Sequence, residues 1–328
     1  MKNIVISFFL AFVAMNANAQ FLFRISGNQL QEPSYILGTI HTLPGSLLDS
    51  IPEYLEAETK CRQLFAEYDV SSQQAMTKVQ EVGLQAITLP DDKTIFDVMD
   101  KEQIDLLDTR FKEVFHVSIT DSLMKSVWKY QPLVLTTSFN LLLTVQEMQK
   151  HPEISMSNTP IDLVCINRAK ERGMAFGQLD EIQPEDSLKK MRDTMNEKID
   201  DQIDSLMNYL QDFEHRKQMV ANEIEVMAMS EKCWKEADYD NYASLPKMVT
   251  EVNKQPAIFK QRNEKWLPKL QAAMSEAPTM FVFGAGHLIG EYGVLQLLRQ
   301  AGYDVRPCLT PQRIRGTYQG DGESDTLN

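Results

Sequence analysis

Histidine and cysteine are scarce in this chain, with five of the first and four of the second among 328 residues. No H-E-x-x-H occurs, which excludes an ordinary zincin. Cys61, Cys165, Cys233 and Cys308 stand far apart without C-x-x-C spacing, which argues against a cysteine zinc site. Their state is open between disulfides, which export would permit, and buried free thiols. Basic residues are outnumbered 33 to 46 by acidic ones, the net charge is −13, and no Lys/Arg block occurs. A nucleic-acid partner is thereby excluded, because phosphate binding needs clustered cations; the acidic surface favours solubility. Short repeats and low-complexity linkers are also missing. What remains is an ordinary globular balance, 43% apolar and 24% charged, long enough for one large domain or two smaller ones.

One long apolar run exists, and it is N-terminal. Met1-Lys2-Asn3 is a short positive start, Ile4 to Met15 is almost unbroken hydrocarbon, and Ala17-Asn18-Ala19 supplies small residues at the spacing a signal peptidase reads. The run is too short for a stable bilayer span. The expected organisation is therefore a signal peptide over 1–19, an α/β domain with helical inserts over 20–309 and a polar tail over 310–328. No cysteine follows the cleavage site and no later segment reads as a transmembrane helix, so the mature chain is expected in the periplasm or secreted, without a membrane anchor.

Ser34 to His41 reads as a buried strand entering a turn. A helix follows with Ser50 as N-cap and Pro52 in its first turn, and Gln63 to Val70 reads as a second strand, completing a β-α-β unit. Residues 95–150 are helical in pattern, interrupted at Trp128 to Pro132. Thr159-Pro160-Ile161-Asp162 predicts a helix start with Thr159 as N-cap and Asp162 closing a capping box; that helix stops at Gly173. Met174 to Leu179 reads as a strand. Residues 186–275 are strongly helical, with Ile203, Leu206, Met207, Leu210 and Phe213 on one apolar face. Thr279 to Phe283 is a strand, Val294, Leu297, Leu298 and Ala301 mark a helix, and Tyr303 to Leu309 returns as a strand. The fold class expected is α/β, a central, mostly parallel sheet built from two β-α-β halves with a large helical insert over the cleft between them.

Two of the five histidines share a context. Gly38-Thr39-Ile40-His41 and Gly284-Ala285-Gly286-His287 each end an apolar strand and precede a helix. Ligands of open α/β sheets bind outside the carboxyl ends of strands; glycine lets the chain turn there, and a neutral imidazole serves as metal ligand or general base. The pair is either functional or two structural turn histidines, and spacing alone leaves both readings standing. Glu67 and Asp69 lie two apart on one expected strand, hence on one face; Asp180 and Glu181 end another. Such acids complete a metal shell, orient a histidine, or are solvated.

YILGTIHTLP, FAEYDV and FVFGAGHLIGEYGVLQLLRQAGYDV together resemble the TraB/GumN family, which includes the Tiki membrane proteases. The likeness runs over about residues 21–309. It places that family's paired G-x-x-H motifs on His41 and His287, its acid on Glu67, and its Arg-Asn on Arg262-Asn263. Trp128 to Pro132 is a scrambled counterpart of a Lys-Pro-Trp segment, Thr159 to Asp162 stands at a Gly-x-Asp, and Asp180 replaces a usual Glu. The resemblance implies a metal-dependent hydrolase, a peptidase acting on a peptide or protein substrate with Mn²⁺- or Co²⁺-type chemistry. Its related folds are erythromycin-esterase-like hydrolases and ChaN-like haem-binding lipoproteins. In that reading His41, Glu67 and His287 hold the metal, and Arg262 binds a substrate carboxylate or steadies the oxyanion, or else makes a structural ion pair. Rival readings are a metal-free esterase-like hydrolase with a histidine base oriented by Glu67, and a metal- or haem-binding protein without turnover.

The N-terminal pattern makes one prediction directly. Protein recovered from an envelope fraction begins at Gln20 on N-terminal sequencing; retention of Met1 to Ala19 in cytosolic material would refute export.

Overall fold

A computed structural model describes residues 21–69, 88–155, 159–180 and 198–308. The signal segment, the tail, Val70, Glu181 and the stretch 186–197 lie outside the described residues. Six strands form one sheet: β1 (Leu22–Gly27), β2 (Ser34–Thr39), β3 (Gln63–Ala66), β4 (Ala175–Gln178), β5 (Thr279–Gly284) and β6 (Tyr303–Pro307). Their order is β4-β3-β5-β2-β1-β6. The strands β4, β3, β5 and β2 run parallel, whereas β1 is antiparallel to both β2 and β6. All six residues of β2 and five of six in β5 are buried, as expected of central parallel strands covered on both faces.

Both anticipated β-α-β crossovers are present, β2–α1 (Pro52–Lys60)–β3 and β5–α11 (Val294–Gln300)–β6. They do not face each other as halves. β5 inserts between β2 and β3, and β6 pairs with β1 at the far edge, so the two units interleave in one sheet. Strand β1 was not foreseen. It is joined to β2 by a tight turn in which Gly27, Asn28 and Gln29 all have positive φ and Leu30 N–H bonds to Gly27 O.

The remaining helices are α2 (Ile95–Val98), α3 (Lys101–Phe115), α4 (Pro132–Met148), α5 (Ile161–Glu171), α6 (Ile199–Gln211), α7 (Phe213–Lys235), α8 (Tyr239–Ser244), α9 (Pro246–Lys254) and α10 (Lys260–Glu276). They divide between two hydrophobic cores. One surrounds the sheet and includes Trp266, Phe281, Phe283, Leu270 and Ile161. The other is built mainly from helices, with Leu107, Phe111, Phe139, Leu206, Leu210 and Phe213 from α3, α4, α6 and the start of α7, and is completed by Leu89, Ile119 and Ile154 from the connections. The apolar face predicted from Ile203 to Phe213 is buried there. Helix α7 belongs to both, with Val220, Ile224 and Ala228 in the helical core and Cys233 and Trp234 in the sheet core. Among the described residues no helix is long and apolar enough to cross a membrane. The four cysteines are free thiols; burial pushes Cys61 and Cys165 up to about 12, which makes them poor nucleophiles.

Three local expectations are corrected. Ser50 does not cap α1: its hydroxyl donates to Leu47 O within a preceding 3-10 turn, and Pro52 opens the helix behind Ile51. Asp162 closes no capping box, because α5 starts behind Pro160 without a side-chain cap and the carboxylate is directed elsewhere. The strand β3 stops at Ala66, so Glu67 and Asp69 do not share a strand face; Asp69 instead accepts from Lys170 at 2.8 Å.

Nor does Gly38 serve as a turn residue. It lies inside β2, and a Cβ there would stand 2.5 Å from Leu288 Cδ1 and 3.3 Å from Ala285 Cβ. Its function is close approach: the turn that carries His287 packs directly on the strand that carries His41. Gly38→Ala should therefore destabilise the protein by about 1–3 kcal/mol through overpacking, read as a lowered urea midpoint at unchanged slope; wild-type stability would disprove the tight contact.

Candidate functional site

The register of the central strands sets the site. Thr39 pairs with Gly284 across β2 and β5, so both G-x-x-H turns leave the sheet at the same level and the same edge. Glu67 follows β3, on the other side of β5. Asp180 follows β4, its N–H bonded to Glu67 O at 2.9 Å. Parallel strands thus deliver His41, His287, Glu67 and Asp180 to one carboxyl rim, as the topology of an open α/β sheet requires. Arg262 arrives from the first turn of α10.

His41 donates from Nδ1 to Asp162 Oδ2 at 2.9 Å, and Asp162 Oδ1 accepts from Thr39 Oγ1 at 2.5 Å. The ring is open to solvent, with 63% of its side chain accessible. The hydrogen bond to Asp162 is the main cause of a pKa raised above the ordinary histidine value, reinforced by the charges of Asp162 and Glu67 against partial desolvation. Because Nδ1 carries the proton to Asp162, Nε2 presents a lone pair.

His287 is held differently. Only 4% of its side chain is accessible. It lies 4.3 Å from the Trp266 ring and 5.2 Å from that of Phe259, centroid to centroid. Asn263 Nδ2 donates to His287 O and Tyr292 O, which fixes the amide so that its Oδ1 accepts from His287 Nδ1 at 2.6 Å. The hydrogen-bond network therefore assigns the Nδ1–H tautomer, and Nε2 accepts from Arg262 Nη1 at 3.1 Å. Burial among rings pushes its pKa down to about 4, with the Glu67 charge opposing.

Glu67 and Arg262 join the two histidine turns. Glu67 Oε1 accepts the Gly284 N–H at 2.7 Å and lies 3.9 Å from His287 Nε2; Oε2 accepts from Arg262 Nη2 at 2.5 Å. Arg262 also donates to both oxygens of Asp180 and stacks 4.7 Å from the Trp266 ring, whose indole N–H donates to Asp180 Oδ1 at 2.7 Å. A Cβ on Gly284 would meet Glu67 Oε1 at 3.3 Å and His41 Nε2 at 3.5 Å. The bare Cα thus forms the floor between a carboxylate oxygen and an imidazole nitrogen. His41, Glu67, Arg262 and His287, singled out from the sequence, are all gathered here.

A family model covers residues 21–307, from β1 to the end of β6, and is that of the TraB/PrgY/gumN family. The chain belongs to the TraB/PrgY/gumN family. Within the curated proteins, a 78-residue segment is 36% identical to "Metalloprotease TIKI2" of Danio rerio, which is 23% of this chain and 15% of that protein. No solved structure matches the chain.

The metal chemistry associated with the TraB/PrgY/gumN resemblance can be tested on the donor set. Each imidazole ties Nδ1 to an oxygen acceptor and turns Nε2 toward the rim, which is how ligating histidines are usually oriented. The 3.9 Å between His287 Nε2 and Glu67 Oε1 is within the span of two metal bonds of about 2.1 Å. Among the described residues no three His, Cys, Asp or Glu side chains form a closed coordination cluster, and Arg262 holds His287 Nε2 and Glu67 Oε2. The donors fit a divalent ion in kind, and Arg262 is its competitor for two of them.

The sequence around Asp162 has the pattern of a helix cap, which hides its place in the site, and Trp266 lies outside the motif residues. Arg262, Asn263 and Trp266 are spaced i, i+1 and i+4, so the first and last stack along one helix face; that spacing beside a family Arg-Asn was the available signal.

In metal-free protein the two imidazoles should titrate apart by NMR, His41 above 6.5 and His287 near 4, and Asp162→Asn should lower only the first. His41, raised on folding, contributes stability below about 6.5 that is lost as pH rises through its folded pKa. His287, depressed on folding, makes the protein less stable as pH falls from about 6.5 toward about 4. Coincident titration of both rings would refute the asymmetry.

Proposed function

We propose that this protein is an exported hydrolase of amide or peptide bonds, with His41, Glu67 and His287 as the donor set for a divalent ion of Mn²⁺ or Co²⁺ type and a peptide or protein as substrate. The observation that carries the reading is the convergence of His41 Nε2 and Glu67 Oε1 on the bare Cα of Gly284, with His287 Nε2 3.9 Å from the same carboxylate oxygen. The 36% identical segment of a metalloprotease supports it.

When bound, the ion supplies Lewis-acid polarisation of the carbonyl and acidifies water. The chain's own residues do the rest. Asp162 fixes the His41 tautomer, so that Nε2 turns its lone pair toward the ion site. Arg262 is a fixed positive charge beside Glu67, placed to stabilise the oxyanion. Asp180 and the Trp266 ring hold its guanidinium in position. His287 stays neutral near pH 7, retaining a lone pair.

A second reading is supported by Arg262 itself. A guanidinium that already neutralises Glu67 and occupies His287 Nε2 leaves His41–Asp162 as a complete base without an ion, the arrangement of a metal-free hydrolase akin to the erythromycin-esterase-like enzymes. Peptide-library turnover with chelation and Mn²⁺ or Co²⁺ add-back separates the readings. Loss on chelation and recovery with ion support the first; turnover indifferent to chelation supports the second; metal or haem binding without turnover overturns both. Under the first reading His41→Ala and His287→Ala each abolish activity and bound metal, and the double variant is little worse than either, since members of one catalytic unit are non-additive.

A further inference from the structure

We infer that α7 is the positioning element of the His41 turn and that Glu231 is the residue through which it acts, an assignment that rests on the hydrolase reading above. Two side chains of α7, three positions apart and so on one face, hold the chain on both sides of His41, one on the end of β2 and one on the turn. Trp234 Nε1 donates to Gly38 O at 2.8 Å, before the histidine. Glu231 Oε1 accepts from Thr42 Oγ1 at 2.6 Å, immediately after it.

Glu231 is completely buried. A carboxylate in that position is tolerated only when its oxygens are satisfied, and its partners come from two other segments and from the next turn of its own helix. Beside Thr42, Oε2 accepts from Ser155 N–H and from Lys235 Nζ, each at 2.9 Å. Lys235 also donates to Glu153 O at 2.7 Å, so the loop after α4 is tied to the same point. The neighbouring Ala228 and Cys233 are buried as members of the two hydrophobic cores. Burial of the helix therefore does not require an acid here; the polar groups of the turn and the loop do.

The turn has need of such a hold. His41 is solvent-open, and among the described residues its ring is hydrogen-bonded at Nδ1 alone, to Asp162. Its backbone follows the end of β2, outside the sheet ladder. Since the first half of α7 lies in the helical core, the grip also couples that core to the histidine. Displacement of a reacting group by about 1 Å costs on the order of 100-fold in rate, which is the effect expected when the grip is released.

Thr42→Val and Glu231→Gln test this in the full mature protein. Thr42 is half-buried at the surface, so its variant folds even where a Glu231 variant does not. Side-chain NMR of the five histidines is expected to show the His41 signal broadened or split in both variants, with His287 unchanged. On a peptide selected with the wild type, kcat falls on the order of 100-fold while KM stays within about twofold, and the double variant is no worse than the stronger single. Lowered thermal stability with an unchanged His41 signal and unchanged kcat overturns the assignment and leaves Glu231 a structural acid. Absence of turnover in the wild type overturns the hydrolase reading instead, and the histidine spectra then decide the positioning on their own.

Discussion

The rim of this sheet depends on one guanidinium. Parallel strands β3 and β4 end side by side and deliver Glu67 and Asp180 to adjacent positions. Both carboxylates lie 2.5 Å from the same Arg262 Nη2, so their nearest oxygens are at most about 5 Å apart. At an effective dielectric near 20, two unit charges at that distance repel by about 3 kcal/mol. Arg262 turns that repulsion into two charge-assisted hydrogen-bond sets, and Trp266 supports its plane while bonding Asp180. Removing the arginine would leave two largely buried acids facing each other and His287 without its Nε2 partner. The packing of α10 onto the sheet and the chemistry of the rim are consequently one constraint.

The glycines of the two motifs obey a different constraint, that of space. Gly38 admits Leu288 and Ala285 from the opposite turn, and Gly284 admits Glu67 and His41. Each motif's first glycine is therefore explained by the other half of the site. The pairing of Thr39 with Gly284 makes this reciprocal: β2 and β5 are in register, and neither turn fits without the missing side chain of its neighbour. Conformational freedom, the reason first suggested by a glycine at a strand end, plays no part, since neither residue has a positive φ.

Much of the fold was legible because buried parallel strands and amphipathic helices announce themselves. Four of the six strands followed from short apolar runs ending in turn residues, and β6 from its position after a glycine-capped helix. Strand β1 was obscured by the adjoining signal segment and by its alternating burial. Strand order was not legible: nothing local in Thr279 to Phe283 states that it will pair between Ser34–Thr39 and Gln63–Ala66, because that choice is made by tertiary packing. Within the site, His41, His287, Glu67 and Arg262 were marked by motif. Asp162 was misread because an acid two residues after a helix-opening Thr-Pro satisfies the pattern of a capping box, while its carboxylate is used 121 residues away by His41. Glu231 carries no sequence signal, being one acid among many on a helix; only burial distinguishes it.

Identical motifs have produced unlike histidines. The G-x-x-H spacing is the same in both, and a buried parallel strand precedes each. What differs is the partner of Nδ1, a carboxyl group for His41 and an amide for His287. A carboxylate stabilises the imidazolium; an amide oxygen in an aromatic cage does not offset its desolvation. The first ring is thereby made basic and open to water, the second neutral and enclosed against Arg262. The first ring is exposed to solvent, and the second directs its Nε2 lone pair at Arg262. A site needing both can obtain them from a repeated motif only by breaking the repeat outside it, and here that is done by Asp162 on α5 and Asn263 on α10.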